Sequence, residues 1–309
     1  MFLNTFDIAR ADKTKEKEPI PIKVRSGAIP ENVNSQLCGY LHRKHSGENK
    51  VKIAVSGKGG VGKTLIAGGL AYSFASKGLK TIAIDADPSP NLSLTLGLPL
   101  EEARNIVPIS ENKELIKSKT STGYPGVYRL SFKVVDIIHD FSVKTPFGVN
   151  MIVMGTVRSV GSGCTCPANS VVRALLRHLV VERNEVVIID MEAGVEHLGR
   201  GTTQYVDTML VVADANMKSL ETARHINNLA TSAGIKQVFL VGNKIGSQIQ
   251  KETVKDFAEK NGLAILDLVP FDQNVVEAEM RGETPLKYME SAALRVIQSL
   301  TEKLSLEDN

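Results

Sequence analysis

The sequence has no apolar run approaching the about eighteen residues that a membrane-spanning helix requires. Its amino terminus offers no secretory leader: Met1-Phe-Leu-Asn-Thr-Phe-Asp7 meets an acidic residue where an unbroken apolar core is needed. Cysteine is scarce, at three in 309 residues. An odd, small number excludes a disulfide framework and makes the cytoplasm the expected compartment. Net charge is also lacking over most of the chain. Of 37 Lys/Arg and 34 Asp/Glu, nine and six lie in the first fifty residues, which leaves 28 of each sign in the remainder. That balance argues against nonspecific DNA binding as the main activity. No internal repeat is visible. The last helical segment, Lys287 to Leu304, has an acidic end, so a basic amphipathic membrane tail is not supported. Neither a nucleic acid nor a membrane is an expected partner.

Against these absences stands one strong motif. Residues 57–64 read Gly57-Lys58-Gly59-Gly60-Val61-Gly62-Lys63-Thr64. Glycines at this spacing let successive backbone N–H groups of Gly59, Gly60, Val61 and Gly62 turn inward around phosphate oxygens. Lys63 is placed to pair with the β- and γ-phosphates of ATP, and the Thr64 hydroxyl to ligate Mg²⁺. The motif lies between a β-branched run, Val51 to Val55, and a helix-forming run, Thr64 to Ala75. That strand–loop–helix context is the one it requires. Lys58 is an extra cation. Its side chain cannot easily reach around its own loop, whereas across a two-fold dimer it reaches the partner's nucleotide and stabilises transition-state charge as an arginine finger does. The plainer alternative is a solvated lysine on a glycine loop.

Thr81-Ile-Ala-Ile-Asp85-Ala-Asp87-Pro88 and Val186-Val-Ile-Ile-Asp190 read as buried strands ending in carboxylates, where a parallel sheet presents ligand groups. Asp190 fits a carboxylate that supports Mg²⁺ through water. A third such strand, Val238 to Lys244, ends in Asn243, which with the segment after Pro270 is placed to frame adenine. One polar strand end is more often a helix cap than a ligand; three behind one phosphate loop favour a nucleotide site.

Residues 1–50 are polar, Lys/Glu-rich from Asp12 to Glu18 and marked by Pro19, Pro21 and Pro30. They read as a flexible extension preceding an ATPase domain over 51–305. Cys38, His42 and His45 have a metal-like spacing there, though a lone cysteine near histidines in an arm is more often incidental. From Val51 onward strands and helices alternate. Strands are expected near 51–56, 80–85, 186–190, 208–213, 237–242 and 264–268. Helices are expected near 63–76, 168–182, 217–233, 248–261, 273–281 and 287–303. This alternation predicts a doubly wound α/β domain, mostly parallel, with helices on both faces. Two further short strands, Tyr128–Val135 and Asn150–Met154, are expected to form an antiparallel edge.

Cys164 and Cys166 sit on a glycine-rich approach to a helix that Pro167 can open. A helix amino terminus favours the thiolate, the form that binds metal. Two thiolates are too few for a closed site, but a two-fold dimer supplies two more, tetrahedral for Zn²⁺ or square-planar for Ni²⁺. Buried core cysteines, a redox pair and a dimer-bridging iron–sulfur cluster are the competing readings.

Lys58 to Thr64, Asp85-Ala-Asp87-Pro88 and Asp190 resemble the deviant-Walker P-loop ATPases, which include the MinD/ParA proteins, the nitrogenase iron protein and metallocentre maturation factors. Gly161-Ser-Gly-Cys164-Thr-Cys166-Pro167 and Asp190-Met-Glu-Ala-Gly194-Val-Glu196-His197-Leu-Gly199-Arg-Gly201 are most similar to the carbon monoxide dehydrogenase accessory (CooC-type) nickel-insertion ATPases within that group. The resemblance spans about Val51 to Ser299. It implies an ATPase that switches between monomer and homodimer with ATP and metal, and a carbon monoxide dehydrogenase apoenzyme as client. Asp87 corresponds to the aspartate that orients the attacking water, and Asp190 to the second-switch carboxylate near Mg²⁺. Glu196 and His197 would relay nucleotide state to the cysteines, or are simply surface residues. An iron–sulfur reductase and a MinD/ParA-like positioning ATPase are the alternatives.

Overall fold

The computed structural model describes residues 51–124, 127–129, 132–155, 167–181, 185–194 and 206–304. Strands β1 (Lys52–Gly57), β2 (Thr81–Ala86), β5 (Val186–Met191) and β6 (Thr208–Ala213) are buried along their whole length. With β3 (Val143–Lys144), β4 (Asn150–Val153), β7 (Gln237–Ile245) and β8 (Ile265–Pro270) they form an eight-stranded sheet in the order β3-β4-β2-β5-β1-β6-β7-β8. All neighbouring pairs are parallel except β3 with β4. A strand covered on both faces reads as a continuous apolar run rather than an alternation, which is why these strands were legible.

Alternate residues of one strand enter different cores. Ile53 and Val55 pack with α1 (Lys63–Ser76) and α10 (Ala292–Leu304). Ala54 belongs to the opposite core, with α6 (Pro167–Val181), α7 (Met217–Ser232) and α8 (Gln248–Asn261). Shorter helices among the described residues are α2 (Leu92–Thr95), α3 (Leu100–Arg104), α4 (Lys113–Thr120), α5 (Val135–Phe141) and α9 (Gln273–Met280). Helix α1 is apolar all round, because it lies between the sheet, α2 and α10. Ile66, Leu70 and Phe74 are fully buried on it, each contributing on the order of 1.5–3 kcal/mol. That packing fixes where the helix starts, and hence the loop that precedes it.

The six strands and the helices expected from sequence are all present, with two corrections. Among its described residues Tyr128–Val135 forms no strand: Tyr128 makes an isolated bridge to Ser121, and Val135 opens α5. The antiparallel edge exists, but Val143–Lys144 supplies it, too short a segment to show a period. Residues 285–288 form a separate 3₁₀ turn capped by the Thr284 hydroxyl, and the last helix begins at Ala292 rather than at 287.

That last helix shares its cap with α9. The Asp272 carboxylate accepts from the Asn274 N–H at 3.0 Å and from the Ala293 N–H at 2.9 Å, so one side chain closes two helix starts. Burial alone would raise its pKa, but the Ala293 N–H and other donors outweigh it and hold the carboxyl below the usual range. Its stabilisation is therefore present above the unfolded-state pKa and lost as pH falls through the lowered folded value. Asp272→Ala is expected to cost about 1–3 kcal/mol, two caps at once, read as a lower urea midpoint at pH 7. A midpoint equal to wild type would show that solvent replaces both bonds.

Candidate nucleotide site

Sheet order places the phosphate loop. From β1 the chain runs to β2 on one side, with β5 between them, and to β6, β7 and β8 on the other. Doubly wound sheets bind ligands beyond their strand ends at such a reversal. The loop leaves β1 there.

Gly60 and Gly62 adopt φ of 80° and 94°, a region side chains disfavour. A Cβ on Gly62 would also lie 2.3 Å from Asn243 Nδ2. The contact exists because the Asn243 amide donates to the Val61 carbonyl at 2.8 Å, and beside it the Lys244 ammonium donates to the Gly60 carbonyl at 2.8 Å. Two consecutive side chains at the end of β7 thus engage loop carbonyls and keep them off the side that the N–H groups must present to phosphate. Lys244 has φ 59°, the one non-glycine residue with positive φ among the described residues. Such a conformation costs on the order of 1–3 kcal/mol and persists where surroundings enforce it.

Lys244→Ala is expected to raise KM for ATP about tenfold, the worth of one hydrogen bond from a charged donor, and to change kcat less than about twofold. Lys244→Gly should match it in KM while losing the backbone strain. Steady-state phosphate release measures both, and an unchanged KM in both variants would make the strut incidental.

Lys63 opens α1 and is buried, its ammonium 3.5 Å from the Lys58 carbonyl. At that outer limit the bond is weak, and the ammonium is readily given up to a stronger acceptor. Thr64 is half-buried beside it. Beneath the loop, Asp190 pairs in register with Val55 of β1 and with Asp85 of β2. It is 1% exposed, and neither carboxylate oxygen completes a hydrogen bond among the described residues. Burial pushes its carboxyl up to about 7. The Thr64 hydroxyl beside it pulls it down, the Asp85 charge adds to the rise and the Lys63 ammonium opposes it.

Asp85 differs from its neighbour. Burial pushes it up to about 6, against the Leu92 and Asp87 N–H groups that pull it down. It accepts from those N–H groups at 2.9 and 3.2 Å, anchoring the turn that carries Asp87. Asp87 is half-buried and accepts from the Ser89 N–H at 2.9 Å. A buried carboxylate without donors is costly unless another group satisfies it. The orphaned oxygens of Asp190, beside the Thr64 hydroxyl, fit hydrated Mg²⁺.

A cleft of about 620 Å³ above the loop brings Lys63, Thr64, Asp87, Asn243 and Pro270 together, a volume suited to a nucleotide. Lys58 does not line it; the side chain is half-buried, and its ammonium has no partner among the described residues. Cys164, Cys166, Glu196 and His197, like Cys38, His42 and His45, lie outside the described residues. Among the described residues no group of three or more His, Cys, Asp or Glu is arranged to hold a metal ion.

Two contributions left no signal in the sequence. Ser56 is fully buried; its hydroxyl donates to the Glu192 carbonyl at 2.9 Å and accepts from the Gly194 N–H at 3.2 Å, stapling the loop's own strand to the segment after Asp190. Lys244 is the second. Phe271, the first residue of the segment expected after Pro270, is half-exposed on the cleft.

A glycine cradle that feeds a helix through a buried lysine and a threonine, at the reversal point of a parallel sheet, is how P-loop proteins hold nucleoside triphosphates, and this chain is one of them. Residues 52–286 match the CobQ/CobB/MinD/ParA nucleotide binding domain. The chain belongs to that family and is an ATPase that uses ATP with Mg²⁺. It is 41% identical over 254 residues to an uncharacterised ATP-binding protein of Methanocaldococcus jannaschii, covering 81% of this chain and 96% of that one. It is also 41% identical over 236 residues to the carbon monoxide dehydrogenase accessory protein CooC of Rhodospirillum rubrum, covering 75% and 88%. Among solved structures, MinD in the MinC:MinD complex of Aquifex aeolicus superposes with a TM-score of 0.60 at 19% identity, over 82% of this chain and 95% of that one. The MinD–Mg-ADP structure from Pyrococcus horikoshii gives 0.59 at 18%, over 82% and 96%. At such identities these likenesses speak for the fold.

Proposed function

We propose that the chain is an ATP-driven metallochaperone that carries Ni²⁺ or Zn²⁺ between two subunits and assists nickel insertion into a carbon monoxide dehydrogenase apoenzyme. The observation that carries this reading is the 41% identity to CooC over three-quarters of the chain. The Cys164-Thr-Cys166 pair is the feature suited to the cargo.

The residues divide the work as follows. The backbone of Gly59, Gly60, Val61 and Gly62 cradles the phosphates, and Lys63 leaves the Lys58 carbonyl for the β- and γ-phosphates. Bound Mg²⁺ neutralises phosphate charge as it develops; Thr64 and Asp190 are the residues to hold it, the latter through water. Asp87 orients the attacking water, a task that asks for position more than basicity. Asn243 and Pro270 frame adenine, with Phe271 offering a ring face. Lys58 acts on the partner subunit's nucleotide.

Cys164 and Cys166 from two subunits make a four-thiolate cargo site. Two ligands that each bind best to the closed dimer favour one another's binding, so ATP promotes metal capture and hydrolysis loosens it.

The test is an anaerobic titration with Ni²⁺ or Zn²⁺, with and without ATP, followed by metal analysis and sedimentation. One metal per two chains and a monomer-to-dimer shift are expected, both lost in Cys164→Ser/Cys166→Ser. A variant that still binds metal and dimerises normally would refute the carrier reading; a brown protein bearing iron and sulfide would favour the reductase.

A further inference from the structure

Helix α4 and the turn after it carry a second concavity that the nucleotide chemistry does not use. Lys113, Ile116, Lys117 and Thr120 recur at the i, i+3, i+4, i+7 spacing of one helix face, and all four line a groove of about 460 Å³. Ser121, Gly123, Tyr124, Val127 and Tyr128 line it as well. Ser121 bridges Tyr128, and the Thr122 hydroxyl donates to the Val127 carbonyl. Pro167, the first residue of α6 and the residue after Cys166 in the sequence, lines the groove too.

Two properties separate this groove from ordinary surface. Of the nine large apolar side chains exposed among the described residues, three belong to this one turn: Tyr124 at 75%, Val127 at 54% and Tyr128 at 47%. Aromatic side chains held out in water next to a concavity are the usual anchors of protein interfaces. The charge is also one-sided. Lys113 and Lys117 are exposed on the lining and have no ion-pair partner among the described residues, whereas neighbouring Lys119 is taken by Asp136 and the Lys133 carbonyl. Among the described residues no Asp or Glu lines the groove. The amino terminus of the fifteen-residue α6 adds partial positive charge where Pro167 lines the groove.

We infer that this groove docks an acidic segment with interspersed apolar side chains from the protein to which the metal is delivered, and so holds that protein at the start of α6, the helix that follows Cys166 in the sequence. This rests on the maturation-factor reading for the identity of the partner, and on the groove alone for its chemistry. The carboxylates pair with Lys113 and Lys117, and the apolar side chains pack on Tyr124, Tyr128 and Ile116. A single-stranded nucleic acid would use lysines and aromatic faces too. The balance of 28 Lys/Arg against 28 Asp/Glu over residues 51–309 disfavours it.

Fluorescence anisotropy on the full-length protein tests the inference. The probes are a labelled twelve-residue peptide of alternating Glu and Leu/Tyr, its Lys-for-Glu counterpart and an oligothymidylate. The acidic peptide is expected to bind at least about tenfold more tightly than either of the others, two charge pairs at about 0.7 kcal/mol each. The preference should vanish in Lys113→Glu/Lys117→Glu, and affinity should fall in Tyr124→Ser, with ATP hydrolysis and sedimentation unchanged in both. Equal binding of the two peptides, tighter binding of the oligonucleotide, or a preference that survives charge reversal would overturn the docking site. A shift in sedimentation with the charge reversal would also overturn it, making the groove a contact between copies. Purified carbon monoxide dehydrogenase apoenzyme is then added as competitor. Displacement of the bound peptide supports the client, and lack of displacement counts against that client while leaving the groove's preference standing.

Discussion

Replacing Lys58 with alanine is expected to lower kcat for ATP hydrolysis by on the order of 10³, the scale of a lost arginine finger, while the Kd for ATP changes less than about threefold. The reason is positional. Lys58 follows Gly57 at the start of the loop, stays off the cleft wall, and its ammonium has no partner among the described residues, while its carbonyl lies 3.5 Å from the Lys63 ammonium. A lysine that acts from the partner subunit also makes a stronger prediction. Lys58→Ala and Lys63→Ala are each inactive alone, yet their heterodimer contains one intact loop faced by one intact Lys58. An equimolar mixture forms heterodimers as half of all dimers, each with one working site of two, so about a quarter of the wild-type rate should return. A lysine acting within its own subunit would give no recovery.

Asp190→Asn should change stability and activity in opposite directions. In the fold its carboxyl titrates at about 7, raised by burial first, against an ordinary value of about 3.9 in the unfolded chain. The folded chain therefore holds the proton more tightly between those values, and stability falls as pH rises through the window. Asparagine carries no charge, and Asp85, its register neighbour on β2, can accept from the new amide. We expect the nucleotide-free variant to gain about 1–3 kcal/mol at pH 8, several degrees in Tm for a domain of this size. The gain should shrink toward zero at pH 5. ATP hydrolysis should fall about 10- to 100-fold, as for a lost outer-sphere partner of a metal. A site that weakens its host until ligand arrives is the usual exchange of stability for activity. Calorimetry against pH decides the matter, and a variant that melts earlier than wild type at pH 8 would mean that Asp190 is a structural hydrogen-bond acceptor.

Legibility in the sequence followed the range of the interaction. The phosphate loop was readable because its chemistry is local, and the strands ending at Asp85 and Asp190 because burial on both faces leaves an apolar run closed by an acid. The edge was misread at Tyr128–Val135, since aromatic and β-branched residues signal a surface to be packed and not the strand that packs it. Asn243 and Lys244 could be placed at a strand end, but not tied to the Val61 and Gly60 carbonyls, which lie more than 180 positions away. The double cap by Asp272 had no reading in the sequence, since its second helix starts twenty residues on, at a distance no local pattern encodes.

The two flanks of the sheet carry a further consequence. A wide parallel sheet with open margins would offer its unpaired backbone to other chains and grow into ribbons. Here one margin is finished by the two-residue, reversed β3. The other is β8, which closes on Pro270, a residue with no N–H to donate, and bears an ion pair between Asp267 and Lys303. Both margins resist strand addition, so concentrated solutions of this ATPase should scatter light as discrete particles and seed no fibres.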